Sequence, residues 1–349
     1  IQIYDAQTQE KIQILEEQKV TLSKTTILLE EKRFEIDSLN YEINEKTIAR
    51  VQALAKKRNY RPNRMALSLK SNKTMTIGVI IPNILNYFFS KVLLGIEEEA
   101  NSNGYHIIIC LSNNQYQKEA DSLQLLSDGS VDGFILSIAR ETQVMQRNNH
   151  FKKATEDGYP IVMFDRVSEK IECDKIVVDD YKAAYNATKF LLKQDRKKIA
   201  LISTINDLNI GKLRINGYKK ALEGDPTYKN KELIFKINNK TEYDSVITSL
   251  FDNHHDVDGI FATDNVSAIT ALKIANNKGF NIPKDISVIG FSDDKISRLS
   301  VPSLTIVSQN ALEIGKNAAR MLIDRLQNNS PSEFKTKVIQ TDLVVREST

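Results

Sequence analysis

At 349 residues the chain is too long for one core of about 100–200 residues, which implies two or three units. Hydrophobic residues at 41% and charged residues at 27% fit a water-soluble protein, and no apolar run reaches the roughly 18 residues of a membrane span. The net charge of +3 conceals a strong asymmetry: residues 44–74 hold nine Lys or Arg against Glu45 alone, a net +8, so the rest of the chain carries −5. One short stretch therefore suits a polyanion and the remainder does not. Cys110 and Cys173 sit singly in apolar runs, and the N-terminus lacks the basic and apolar regions of an export signal. Both features argue against a disulfide framework and for the cytoplasm.

Along residues 1–40, Leu15, Leu22, Leu29 and Ile36 recur every seven positions, with Ile43 continuing the row. The companion row of Ile12, Lys19, Thr26, Arg33 and Asn40 is mostly polar, so the spacing predicts helix but not a self-standing zipper. Asn44 can cap a following helix whose apolar stripe is Ile48, Val51, Leu54 and Ala55, ended by Pro62.

From Met75 onward, short apolar runs alternate with amphipathic stretches of helical length. The predicted strands are Thr76–Ile81, His106–Leu111, Phe134–Ile138, Ile161–Phe164, Ile176–Val178, Ile199–Ile202, Leu233–Ile237, Gly259–Ala262 and Ser287–Phe291. Helices are predicted over Phe88–Asn103, Gln117–Ser127, Thr142–Asp157 and Ala311–Leu326. Continuous apolar strands between helices mark a parallel sheet covered on both faces. So many strands exceed one comfortable sheet. The predicted fold class is α/β, two doubly wound parallel-sheet lobes preceded by an all-α N-terminal segment. Val131-Asp132-Gly133-Phe134 and Val257-Asp258-Gly259-Ile260 each open a strand after a helix, as duplicated lobes would.

Enzymatic signatures are poor. His106, His150, His254 and His255 lack metal-ligand spacing, Asn103-Gly104 and Lys278-Gly279 read as helix ends, and no Ser/His/Asp grouping stands out. No catalytic residue, metal or cofactor is expected.

The stretch YEINEKTIARVQALAKKRNYRPNRMALSLKSNK, residues 41–73, resembles the junction of a LacI/GalR-family transcription regulator, where a headpiece helix runs into Asn-Tyr-x-Pro-Asn and a hinge helix. Asn59, Tyr60, Pro62, Asn63, Ala66, Leu69 and Lys70 carry the match. The resemblance implies a homodimer whose hinge helices enter the minor groove of operator DNA. Leu69 would be the wedge between base steps, Ala66 would lie on the groove floor, and Tyr60, Arg61, Asn63, Arg64 and Lys70 would be the surrounding DNA contacts. The family's opening helix-turn-helix is not recognisable: Lys19-Val20-Thr21-Leu22 resembles its start, but TTILLEEKRFEIDSLN does not continue it. The implied domains are a divergent helical segment at 1–40, a headpiece helix remnant at 41–60, a hinge at 61–73 and an effector-binding domain at 74–349. Its first lobe takes about 74–174 and 305–335, and its second about 175–304 and 336–349.

Sensor markers of the same family run from Thr76-Ile77-Gly78-Val79 through Phe164-Asp165-Arg166 and Arg214-x-x-Gly217-Tyr218 to Ile289-Gly290-Phe291-Ser292-Asp293. Ligands of doubly wound sheets sit beyond the carboxyl ends of strands. Tyr87, Phe88, Asp165, Asp264 and Asp293 follow such ends, and the resemblance carries over Arg214 and Asp293 as polar contacts, with Thr263 and Asn209 as weaker candidates. Carboxylates, a forked guanidinium and aromatic rings suit a sugar or sugar derivative, or a nucleobase. The reading is a ligand-responsive DNA-binding regulator. The alternatives are a solute sensor that never touches DNA, and a sensor carried on a helical stalk.

Overall fold

All six residues of β1 (Thr76–Ile81) but the first are buried, as an apolar strand covered on both faces requires. The computed structural model describes residues 45–58, 60, 73–223, 232–292, 295–327 and 333–349. β1 pairs in parallel with β2 (His106–Leu111) on one side and β3 (Gly133–Leu136) on the other. β4 (Ile161–Phe164) and β5 (Asp174–Val178) continue the sheet, and β11 (Thr336–Ile339) closes it in the order β11-β5-β4-β3-β1-β2. A second sheet repeats that plan from β6 (Ile199–Ser203), β7 (Leu233–Lys236), β8 (Gly259–Ala262), β9 (Ser287–Phe291), β10 (Thr305–Ser308) and β12 (Asp342–Val344), ordered β12-β10-β9-β8-β6-β7. Among the described residues every strand pairing is parallel except β10 with β12.

The duplicated Val-Asp-Gly has a physical cause. Asp132 accepts from Thr74 N at 2.6 Å and Met75 N at 2.9 Å, pinning the chain just before β1. Asp258 accepts from Lys197 N and Lys198 N, both at 2.7 Å, just before β6. In each lobe the third strand's leading carboxylate anchors the start of the first.

Residues up to Leu67 and from Ser68 onward are two compact units. Of the first, helix α1 (Glu45–Lys57) is described, with Ile48, Val51 and Leu54 exposed. The segment 1–40 and the hinge residues Arg61, Asn63, Arg64, Ala66, Leu69 and Lys70 lie outside the described residues. Tyr60 is exposed, its N–H donating to Ala55 O at 2.9 Å.

In the second unit, α2 (Tyr87–Ser102) and α3 (Tyr116–Leu126) follow β1 and β2. The predicted helix Thr142–Asp157 is in fact two, α4 (Arg140–Met145) and α5 (Asn149–Glu156). Gln146 breaks it by adopting a left-handed φ of 56°, stopping the i→i−4 ladder. α6 (Asp180–Lys193), α7 (Asn209–Glu223), α8 (Tyr243–Asn253), α9 (Asn265–Asn277) and the short α10 (Ile296–Leu299) belong to the second lobe. α11 (Ala311–Gln327) returns to pack on the first, its Ile314, Ala318 and Leu322 entering the same core as Val92 and Ile96. Gly95 and Gly315 allow that contact: a Cβ on Gly95 would strike Leu312 O, and one on Gly315 would strike Val92 O.

Lobe boundaries shift from the expected ones. β5 pairs with β4 and so stays in the first lobe, whereas β10, missed in the sequence, pairs with β9 and stays in the second. The C-terminal segment divides between the sheets, β11 pairing with β5 and β12 with β10. Asn310 fixes the division, its Nδ2 donating to Gln340 O at 2.9 Å and Asp342 Oδ2 at 2.8 Å. The chain therefore passes between lobes three times. Among the described residues, no helix is long and apolar enough to cross a membrane.

Candidate ligand-binding cleft

The carboxyl ends of both sheets open onto one cleft. The first lobe contributes Asn86 to Phe89 beyond β1 and Asp165 with Arg166 beyond β4. Facing them are Ile205, Ile210, Arg214, Thr263, Asp264, Asn265, Phe291 and Ser292 of the second lobe, with Gln309 at the strand-to-helix passage after β10.

Arg214 is held from three directions. Its Nε donates to Asp180 Oδ1 at 2.7 Å, its Nη1 donates to Thr263 O at 2.8 Å, and the guanidinium lies 3.6 Å from the Phe291 ring centroid. The side chain is 3% exposed, and Nη2 is buried without a partner. A charged donor left unsatisfied in the interior is costly. Burial pushes the Asp180 carboxyl above its ordinary range, and Arg214 pulls it back.

Asp165 occupies a left-handed φ of 58°, a conformation Asp tolerates better than most residues and one that turns the chain at the end of β4. Burial raises its carboxyl to about 6; Arg166 opposes that most, the Asp180 charge adds to it, and Arg214 and a Gln309 hydrogen bond oppose it. Arg166 Nε stands 3.9 Å from Asp165 Oδ2, a loose pair, while its Nη1 donates to Asn114 Oδ1 at 2.6 Å. At neutral pH the cleft thus presents a carboxylate acceptor beside guanidinium donors.

The aromatic wall follows from a helix cap. Asn86 Oδ1 accepts from Phe88 N at 3.0 Å, starting α2 so that Tyr87 and Phe88 stand at the cleft in its first turn. Phe88 and Phe89 meet edge to face at 5.2 Å, and Phe89 packs against Phe164 at 6.2 Å.

Of the residues expected at the site, Tyr87, Phe88, Asp165, Arg214, Thr263 and Asp264 come together in this cleft. Asp264 has a structural duty as well. Its Oδ1 caps α9 through Ser267 N at 2.9 Å, and its Oδ2 accepts from Thr204 Oγ1 at 2.9 Å and Ser267 Oγ at 2.6 Å. Asn209 is not part of it. As the first residue of α7, Asn209 donates its N–H to Gln143 Oε1 at 3.0 Å and lines a neighbouring cleft instead. Asp293 lies outside the described residues; Phe291 and Ser292 before it do line the cleft. Sequence reasoning missed Arg166, Phe291 and Gln309 as site residues. Gln309 directly follows β10, so the strand-end rule would have found it once that strand was recognised.

Known proteins share this fold. Residues 188–349 match the family model of the periplasmic binding protein-like domain. The chain is 31% identical over 311 residues to the HTH-type transcriptional regulator RegA of Clostridium saccharobutylicum, covering 88% of this chain and 91% of that protein. It is 30% identical over 291 residues to the HTH-type transcriptional repressor PurR of Vibrio atlanticus, covering 82% and 85%. A solved LacI family transcriptional regulator from Enterococcus faecium with bound ribose superposes with a TM-score of 0.68 at 25% identity, covering 78% of this chain and 98% of that one. With its two-lobed sensor and these relatives, the chain belongs to the LacI/GalR family of ligand-responsive bacterial transcription regulators.

Proposed function

We propose that the cleft is the effector site and that its effector is a small sugar or sugar derivative. The observation that carries this is Arg214, a residue of the cleft wall: two of its nitrogens are satisfied inside the protein, and the third is a buried donor with no partner. A sugar presents hydroxyls that accept from guanidinium and donate to carboxylate, and an apolar ring face that stacks on Phe88 or Phe291. Arg214, Asp165, Phe88 and Tyr87 are the main contacts in this reading. Thr263 acts through its carbonyl on Arg214, Asp264 as a wall fixed by its capping role, and Asp293 as a further polar contact.

In the same reading residues 74–349 form the sensor, 61–73 the hinge, and the protein works as a cytoplasmic homodimer on operator DNA. The excess of +8 over residues 44–74 supplies the phosphate contacts, Leu69 and Ala66 the minor-groove contacts. Closure of the lobes then changes the spacing of two hinges, so that effector and operator affinities are linked reciprocally. Equilibrium binding of the full chain to palindromic duplexes at two salt concentrations, with and without each member of a sugar and purine panel, tests this. Expected is salt-sensitive binding whose affinity shifts with one sugar. Binding absent even at low salt would overturn the DNA-binding part, and a shift only with purines would overturn the sugar part.

A further inference from the structure

Outside the cleft, a second set of contacts joins the lobes. Arg140, the first residue of α4 in the first lobe, donates from Nε and Nη2 to Asp207 Oδ1 of the second lobe at 3.1 and 2.8 Å. Its Nη2 also donates to Thr204 O at 2.6 Å. One turn along α4, Gln143 Oε1 accepts the Asn209 N–H at 3.0 Å, and Gln143 Nε2 donates to Val167 O at 3.3 Å. The bonds from Arg140 and the Gln143–Asn209 bond bridge the first lobe to the β6–α7 loop and the start of α7 in the second, while the Val167 bond holds Gln143 within the first.

The bridge is wired to the cleft wall. Thr204, whose carbonyl Arg140 holds, donates its hydroxyl to Asp264 Oδ2 at 2.9 Å. Arg140 also acts through space on Arg166, whose guanidinium lines the cleft, opposing its charge. Arg140 and Asp207 themselves do not line the cleft.

We propose that Arg140 is a positioning residue that clasps the two lobes, so that its bonds to Asp207 and Thr204 govern how readily the cleft opens and how long a ligand stays. The half-exposed ion pair makes the clasp sensitive to salt. Its effect on ligand retention rests on the cleft being the effector site; the clasp itself does not.

Hydrogen exchange by mass spectrometry on the full chain tests the clasp directly, comparing wild type, Arg140→Met, Arg140→Lys and Asp207→Asn at low and high salt. Exchange at the Asn209 amide, in a peptide spanning residues 204–210, is expected to rise about tenfold in Arg140→Met, the worth of one charge-assisted hydrogen bond. Wild type at high salt and Asp207→Asn should move the same way, with Arg140→Lys intermediate, while β8 (Gly259–Ala262) keeps wild-type protection. Unchanged exchange in Arg140→Met overturns the proposal, and so does a rise that spreads equally into β8, which signals lobe destabilisation. A parallel titration uses ribose as the probe, with dissociation from Arg140→Met expected to be several-fold faster. Failure of ribose to bind wild type counts against a ribose-type effector, whereas the exchange result decides the clasp on its own.

Discussion

Arg214 Nε and Asp180 Oδ1 lie 2.7 Å apart in the interior of the second lobe, tying the start of α6 to the middle of α7 with both side chains almost fully buried. The carboxylate aims the guanidinium rather than merely neutralising it. With Nε and Nη1 fixed, Nη2 is left buried without a partner.

Removing one member alone leaves a buried, uncompensated charge. Asp180→Ala is expected to destabilise the second lobe by about 3–5 kcal/mol. The double variant Asp180→Leu with Arg214→Met should cost clearly less than Asp180→Ala, because no charge remains to be solvated. Denaturant melts of the three proteins check the ordering.

Asp165 gives a pH signature. Its carboxyl is raised to about 6 from an ordinary 3.8, so the folded protein holds that proton more tightly than the unfolded chain does. The resulting stabilisation is full below about pH 4 and is lost as pH rises through 6. Asp165→Asn stays neutral throughout. The stability of the variant relative to wild type should therefore climb between pH 4 and 6 and level off above, with a total rise of about 3 kcal/mol, at 1.36 kcal/mol per pH unit. Urea melts across that range measure it, and a flat difference would show that Asp165 titrates normally.

Gly315 faces the Val92 carbonyl across the α2–α11 contact. Gly315→Val must force these helices apart and is expected to cost at least about 1–3 kcal/mol, the range of overpacking in a close-packed core. Gly279→Ala, at a left-handed φ of 86° with open space around its Cβ position, should cost less, since only backbone strain opposes it. Thermal melts separate the two.

Phe88 stands on the cleft by virtue of the Asn86 cap. Phe88→Ala should weaken sugar binding by removing one stacking face, an effect of about 1 kcal/mol. Asn86→Ala should weaken binding too, through misplacement of the first turn of α2, and should also lower stability by about 1 kcal/mol. Calorimetric titration paired with melts distinguishes contact from placement.

Much of this molecule was legible in the sequence because parallel strands buried on both faces are continuous apolar runs. Thr76–Ile81, Ile161–Phe164, Gly259–Ala262 and Ser287–Phe291 coincide with observed strands of this kind, while His106–Leu111 coincides with an edge strand that is largely exposed despite its apolar run. The repeated Val-Asp-Gly correctly indicated duplicated lobes, since each Asp does the same anchoring in its own lobe. What was hidden depends on distant partners. No local pattern announces that Gln146 turns left-handed and splits a helix, or that Asn310 divides the C-terminal segment between two sheets. Asp180 was equally hidden as a partner of Arg214, because they meet only once α6 and α7 have packed. Asn209, a weaker candidate in the sequence, lines a neighbouring cleft, its backbone N–H donating to Gln143 Oε1 across the lobes.

The most direct measurement is isothermal titration of the full chain and of its Arg214→Met variant with a panel of pentoses, hexoses and disaccharides. At least one sugar is expected to bind wild type, and the variant, still folded by circular dichroism, to bind it roughly a hundredfold more weakly, the loss of about 2–3 kcal/mol from one buried charged hydrogen bond. Equal affinity in the folded variant, or no sugar bound by wild type at all, would contradict this expectation.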